Sequence, residues 1–194
     1  TVLASLGFAL SCKLDIDEAV KFANLAAGIV VGKIGSATAS LNEIIEYESS
    51  LNKSTSDAHI KTINEITALS EELKTRGKKI VFTNGCFDLL HFGHIDYLSK
   101  AKKLGDKLII GLNTDASVQQ IKGPSRPVKD ELSRAHILAS MQFVDAVILF
   151  DQETPLDLIT WIMPDVLVKG GDYKLEDIVG HQLVLENGGT VQTI

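Results

Sequence analysis

Residues 80–94 read Ile80-Val81-Phe82-Thr83-Asn84-Gly85-Cys86-Phe87-Asp88-Leu89-Leu90-His91-Phe92-Gly93-His94, and this stretch decides the fold. The apolar run that opens it is the pattern of a short strand buried on both faces. Gly85 lets the chain turn tightly off that strand. His91 and His94 stand three residues apart where a helical pattern begins, so both imidazoles fall on one helix face. Gly93, between them, leaves room for a phosphate to come close. The helix N-terminus adds free N–H groups and partial positive charge. Strand, turn and helix start together predict a polyphosphate site.

Working outward, β-rich runs at 80–83, 108–112, 146–150, 166–168 and 190–194 alternate with helical patterns near 91–104, 115–121, 130–142, 155–163 and 175–186. This alternation predicts an α/β fold: a Rossmann-like, five-stranded parallel sheet with helices on both faces. In such sheets ligands bind beyond the carboxyl ends of the strands. Functional residues should therefore follow Thr83, Leu112, Phe150 and Val168.

Upstream the pattern differs. Residues 1–45 are helical, with Asp15 and Glu18 as a capping pair and a stripe of Ala19, Phe22, Ala23, Ala26 and Ala27. Small residues on one face suit close packing against a larger body. Residues 46–60 are polar and rich in serine, and read as a linker. A helix is expected from about Ile60 to Thr75, leading into a domain over 61–194.

The composition fits a globular chain: 194 residues, 45% hydrophobic, net charge -6. That charge gives no sign of a nucleic-acid or anionic-membrane footprint. No apolar run approaches the roughly 20 residues of a membrane span. The two cysteines, Cys12 and Cys86, make no disulfide framework. With no signal peptide visible, a cytoplasmic setting is expected.

Several residues have competing readings. The two histidines could ligate a metal, but no cysteine pair or glutamate-based zinc motif lies near, so no metal ligands are expected. Cys86 could act as a nucleophile or simply pack in the turn, and Asp88 could serve the site or cap the helix turn. Asn113-Thr114-Asp115 could bond a ribose or cap the next helix. Lys122 and Arg126 lie on a Gly- and Pro-containing loop suited to pairing with phosphates. Arg134 could reach the site, but pairing with Asp130 or Glu131 on its own helix is expected. Lys169-Gly170-Gly171-Asp172 follows a strand, and its glycines allow a ligand near the backbone.

Gly85, Phe87, Asp88, His91, Gly93 and His94 fill every fixed position of Gly-x-Phe-Asp-x-x-His-x-Gly-His. This resembles the cytidylyltransferase-like nucleotidyltransferases. The runs at 111–115, 122–127 and 168–173 are similar to the adenylyltransferase domain of the bacterial bifunctional heptose enzymes, which joins a ribokinase-like sugar kinase. Residues 26–37 resemble the helix and loop near the kinase end, so 1–45 would be the closing helices of an incomplete kinase domain. The family's Ser-Thr-Thr motif, which closes the nucleotide site, would follow Ile194.

The resemblance implies transfer of AMP from ATP to D-glycero-β-D-manno-heptose 1-phosphate, giving ADP-heptose and pyrophosphate for lipopolysaccharide core synthesis. Mg²⁺ would arrive with the nucleotide, and a homo-oligomer is expected. His91, His94 and Lys122 would be catalytic. Thr83, Asn84, Gly85, Cys86, Phe87, Asp88, Gly93, Asn113, Asp115, Arg126, Lys169, Gly170, Gly171 and Asp172 would bind the nucleotide. A cytidylyltransferase acting on glycerol 3-phosphate or an amino-alcohol phosphate is the alternative, followed by a nucleotide-binding module without catalysis.

Overall fold

The computed structural model describes residues 1–33, 35–52, 56–171 and 173–194. The chain divides into two compact units, Thr1–Thr55 and Ser56–Ile194.

The first unit holds α1 (Val2–Ser11), α2 (Ile16–Val31) and α3 (Leu41–Asn52). The Asp15 carboxylate caps α2 by accepting from the Glu18 N–H at 2.8 Å. Ala19, Ala23 and Ala26 are buried, and the Phe22 ring lies 6.0 Å from that of Phe8.

The linker expected over 46–60 is largely helical: α3 runs to Asn52, and α4 (Ser56–His59) follows. Residues 53–55 lie outside the described residues. Ser40 and Glu43 form a capping box that starts α3: the Glu43 N–H donates to Ser40 Oγ, and the Ser40 N–H donates to Glu43 Oε2. Ile44 is buried, and the Tyr47 ring lies so near Gly28 that a Cβ there would come within 3.1 Å of it. Among the described side chains of α3, an inward face built largely from these two is too sparse to register as an apolar period.

The second unit runs β1 (Ile60–Lys61), α5 (Ile63–Thr75), β2 (Ile80–Gly85), α6 (Phe92–Lys102), β3 (Lys107–Asn113), α7 (Asp115–Lys122), α8 (Glu131–Ala139), β4 (Ala146–Phe150), α9 (Leu156–Ile162), β5 (Val166–Lys169), a 3-10 turn (Leu175–Asp177), α10 (His181–Glu186) and β6 (Thr190–Thr193). The strands form one sheet in the order β1-β4-β3-β2-β5-β6, parallel at every pairing.

The sheet therefore has six strands, not the expected five. The added edge strand, β1, is two residues long and pairs Ile60 with Val147 and Lys61 with Ile148. The helix expected from Ile60 starts instead at Ile63, behind a Thr62–Glu65 capping box.

Alternate residues of β2 enter opposite cores. Ile80 and Phe82 join Ile66, Leu158 and Ile162 on the face covered by α5 and α9. Val81 joins Leu98, Ala101 and Leu138 on the face covered by α6 and α8. Burial on both faces is the parallel-sheet arrangement, and it leaves the carboxyl ends of the strands as the natural place for a crevice. β3 and β4 lie on one side of β2 and β5 on the other, so the chain switches direction at β2.

Candidate active site

A cleft of about 940 Å³ opens beyond the carboxyl ends of β2, β3, β4 and β5. Its walls include the 84–88 turn, His91, Gly93 and His94, then Asn113, Lys122, Arg126, Lys169, Gly170 and Gly171.

The turn after β2 is tightly built. Phe87 takes a positive φ of 44° although it carries a side chain, and it is buried. Such a conformation stores strain that the surrounding packing must hold. Its ring meets His94 edge-on at 5.6 Å, and a Cβ on Gly85 would lie within 3.1 Å of it. A glycine at position 85 is what lets Phe87 fold back beneath the histidines.

His91 is the N-cap of α6. Its Nδ1 accepts from the Gly93 N–H at 3.1 Å, and His94 Nδ1 accepts from the His91 N–H at 3.4 Å. With both Nδ1 atoms accepting, each neutral imidazole carries its proton on Nε2 and has that N–H free as a donor. The rings lie 4.1 Å apart. Burial, then His91 and Lys122, holds the His94 pKa below its ordinary value. At neutral pH His94 is therefore an uncharged imidazole able to donate a hydrogen bond, not a cation.

Asp88 is buried and faces the loop that follows α7. Its Oδ1 accepts from the N–H groups of Val128 (2.7 Å) and Lys129 (3.3 Å), and its Oδ2 lies 2.6 Å from the Arg126 guanidinium. Burial pushes its pKa up, but these N–H groups and the nearby guanidinium groups outweigh it and the net shift is downward. The motif carboxylate thus docks the cationic loop and does not face the cleft as a free base.

Arg134 grips the same loop from the other side. It is 1% exposed, and its Nε donates to the Lys129 carbonyl at 3.0 Å. One terminal nitrogen donates to the carbonyls of Cys86 (2.6 Å) and Asn113 (2.9 Å), and the other pairs with Asp115 at 2.7 Å. The expected pairing with Asp130 or Glu131 is not formed. Asp130 caps α8 through the Ser133 N–H, and Glu131 accepts from the Asp115 N–H at 2.7 Å. The Lys129 residue is therefore held by its N–H from Asp88 and by its carbonyl from Arg134.

Lys169, at the end of β5, forms the opposite wall. Its ammonium donates to Asn84 Oδ1 at 3.2 Å and lies 5.8 Å from the centre of the Tyr173 ring. Burial pushes its pKa down, against a smaller upward pull from Cys86.

Most of the residues picked from the sequence converge on this cleft. Thr83 and Asp115 do not line it: Thr83 is buried beneath, and Asp115 turns to Arg134. Asp172 lies outside the described residues. Lining groups the sequence reading missed include Tyr97, Glu153 and Thr154. The last two follow β4, as the strand-end rule required, but carry no motif.

A parallel sheet with a paired-histidine helix start after a central strand defines the H-x-G-H class of nucleotide-handling α/β folds. The cytidylyltransferase-like family model matches residues 82–187. The chain belongs to that family.

"Bifunctional protein HldE" of Aliarcobacter butzleri is 59% identical over 186 residues, which is 96% of this chain and 39% of that protein. Its counterpart in Geobacter metallireducens is 53% identical over 194 residues, 100% of this chain and 39% of that protein. The chain thus spans about two-fifths of these relatives' length. A solved structure, the lipopolysaccharide core biosynthesis protein from Thermoplasma volcanium GSS1, superposes with a TM-score of 0.51 at 32% identity, covering 60% of this chain and 94% of that one.

Proposed function

We propose that the second unit transfers AMP from ATP to D-glycero-β-D-manno-heptose 1-phosphate, releasing pyrophosphate and forming ADP-heptose for lipopolysaccharide core synthesis. The observation that carries this reading is the pair of imidazoles of His91 and His94 at the start of α6, each with its Nδ1 engaged by a backbone N–H, with Lys122 on the same cleft. The Thermoplasma volcanium structure, by its name a lipopolysaccharide core biosynthesis protein, supports the pathway, and the sugar follows from the motif resemblance at 111–115, 122–127 and 168–173.

A phosphate oxygen of the sugar attacks the α-phosphorus in line. The bond to the bridging oxygen breaks, and pyrophosphate departs with the electron pair. No covalent enzyme intermediate is needed, so catalysis rests on positioning and on stabilising charge that develops on oxygen. His91 and His94 donate to the triphosphate, and Lys122 balances its charge. Asn84, Gly85, Cys86 and Phe87 with Gly93 and Asn113 shape the nucleotide pocket, closed on the other side by Lys169, Gly170 and Gly171. Arg126, already paired with Asp88, contributes less than Lys122.

Mg²⁺ comes with the nucleotide. Substrate phosphates and water would supply most of its ligands, as is usual for this ion at nucleotide sites.

Residues 1–45 are read as the closing helices of a sugar-kinase domain. The enzyme is read as a cytoplasmic homo-oligomer. Among the described residues, no helix is long and apolar enough to cross a membrane.

Pyrophosphate release, measured with ATP and with CTP against heptose 1-phosphate and glycerol 3-phosphate, tests the assignment. ATP with heptose 1-phosphate should turn over fastest, and His94→Ala should lower that rate by about 10²-fold or more, as for loss of a transition-state donor. Faster turnover with CTP and glycerol 3-phosphate would replace the heptose reading. Wild-type-like turnover in His94→Ala would remove the histidine role.

A further inference from the structure

Strands β2 and β5 pair over a short ladder, Val81 with Val166 and Phe82 with Leu167. That register brings Thr83 level with Val168, and there the bridge between the strands is a side chain. The Tyr97 hydroxyl, reaching in from α6, donates to the Val168 carbonyl at 3.2 Å. It also stands 2.6 Å from Thr83 Oγ1. With its proton on Val168, the phenol oxygen accepts from the threonine.

The same ring supports the next turn of backbone: a Cβ on Gly170 would come within 3.3 Å of it. Tyr97 lies three residues after His94 on α6. One side chain therefore touches the strand that leads into the H-x-G-H turn, the end of β5, and the glycine turn of the opposite wall. It does so at the line where the chain changes direction across the sheet. Thr83 is fully buried, which shields its hydroxyl from water. Burial, opposed by the Thr83 bond, pushes the Tyr97 phenol up to about 12, so it stays a donor throughout the neutral range.

We propose that Tyr97 is a positioning residue for nucleotidyl transfer: its hydroxyl sets the spacing between the helix bearing His91 and His94 and the 169–171 turn facing it. The catalytic consequence rests on the transferase reading above. The coupling of the two walls rests on geometry alone. A packing role would make any loss of activity follow loss of stability. A positioning role separates the two, because displacing a bound reactant by about 1 Å can cost up to 10²-fold in rate.

The test compares the wild-type chain, Tyr97→Phe, and Tyr97→Phe combined with Thr83→Val. The double variant removes the hydroxyl that the single one leaves without its partner. Without substrate, the imidazole Cε1–H signals of His91 and His94 and the amide signals of Gly170 and Gly171 are followed by NMR. Both sets should move in Tyr97→Phe. In turnover, kcat should fall about tenfold or more, with a smaller change in the KM for ATP. The double variant should regain most of the lost Tm but not the lost kcat.

Either wall's signals staying in place, or kcat recovering together with Tm, would overturn the proposal. A full-length wild-type protein that releases no pyrophosphate with either nucleotide would instead refute the transferase reading, and the NMR comparison would still decide the coupling.

Discussion

Replacing Arg134 by methionine keeps the bulk of the side chain and removes its charge and all its donors. The guanidinium is 1% exposed and serves three carbonyls, those of Cys86, Asn113 and Lys129, besides the Asp115 carboxylate. A buried polar group left without its partner costs about 1–3 kcal/mol, and breaking a buried ion pair from one side costs about 3–5 kcal/mol. Asp115 keeps about a third of its side-chain surface open, so water takes over part of its share. The carbonyl terms then dominate, and the expected loss is about 4 kcal/mol. For a unit of this size that lowers Tm by about 12 °C.

Trp161, the single tryptophan of the chain, lies on α9 in the second unit, so its fluorescence follows that unit through thermal or urea unfolding. Arg134→Lys, which cannot span all four acceptors, should recover less than half of the loss. If Tm stays within about 2 °C of wild type in the methionine variant, less than about 1 kcal/mol is lost, and the clamp at the Lys129 residue does not hold the loop.

Two further outcomes follow. In Gly93→Ala the new Cβ would fall 2.9 Å from His91 Cε1 and 3.0 Å from Nδ1, so the imidazole must leave its capping position. Alanine also favours a helix more than glycine does. The KM for ATP should therefore rise about tenfold, near 1.4 kcal/mol, with Tm unchanged or higher; an unchanged KM would show that the His91 seat does not matter. The second outcome concerns pH. His94 has a depressed pKa in the fold, so between that value and the ordinary 6.5 the unfolded chain binds more protons. Its contribution to stability is full above 6.5 and lost as pH falls through the folded value. Urea midpoints measured from neutral to mildly acidic pH should fall more steeply for wild type than for His94→Gln, and parallel curves would contradict the shift.

The sheet and the H-x-G-H turn were legible in the sequence because their information is local. An apolar strand, a glycine and two histidines at helical spacing lie within one continuous stretch. Strand β1 was not legible, since two residues cannot display a period and the pairing that makes them a strand comes from β4. Arg134 was misread because its partners are carbonyls and a carboxylate brought in by other segments, while Asp130 and Glu131 stood close by in sequence. Tyr97 was missed for a related reason: on a helix its position looks like ordinary core, and only the divergence of β2 from β5 gives its hydroxyl a task. The helix running into 46–52 was not legible because its start is set by the Ser40 and Glu43 cap and not by an apolar period, although the boundary between the two units does fall within 46–60.

The all-parallel sheet has a kinetic consequence for the cleft. Its walls come from the ends of β2, β3, β4 and β5, joined by crossovers, and none of these strands is joined to its neighbour by a hairpin. Loop-closure entropy must be overcome for every pairing before the walls face one another. The cleft is thus complete only once all of these pairings have formed. A nucleotide that needs both walls can stabilise only the finished sheet, and should slow unfolding while leaving the rate of folding nearly untouched.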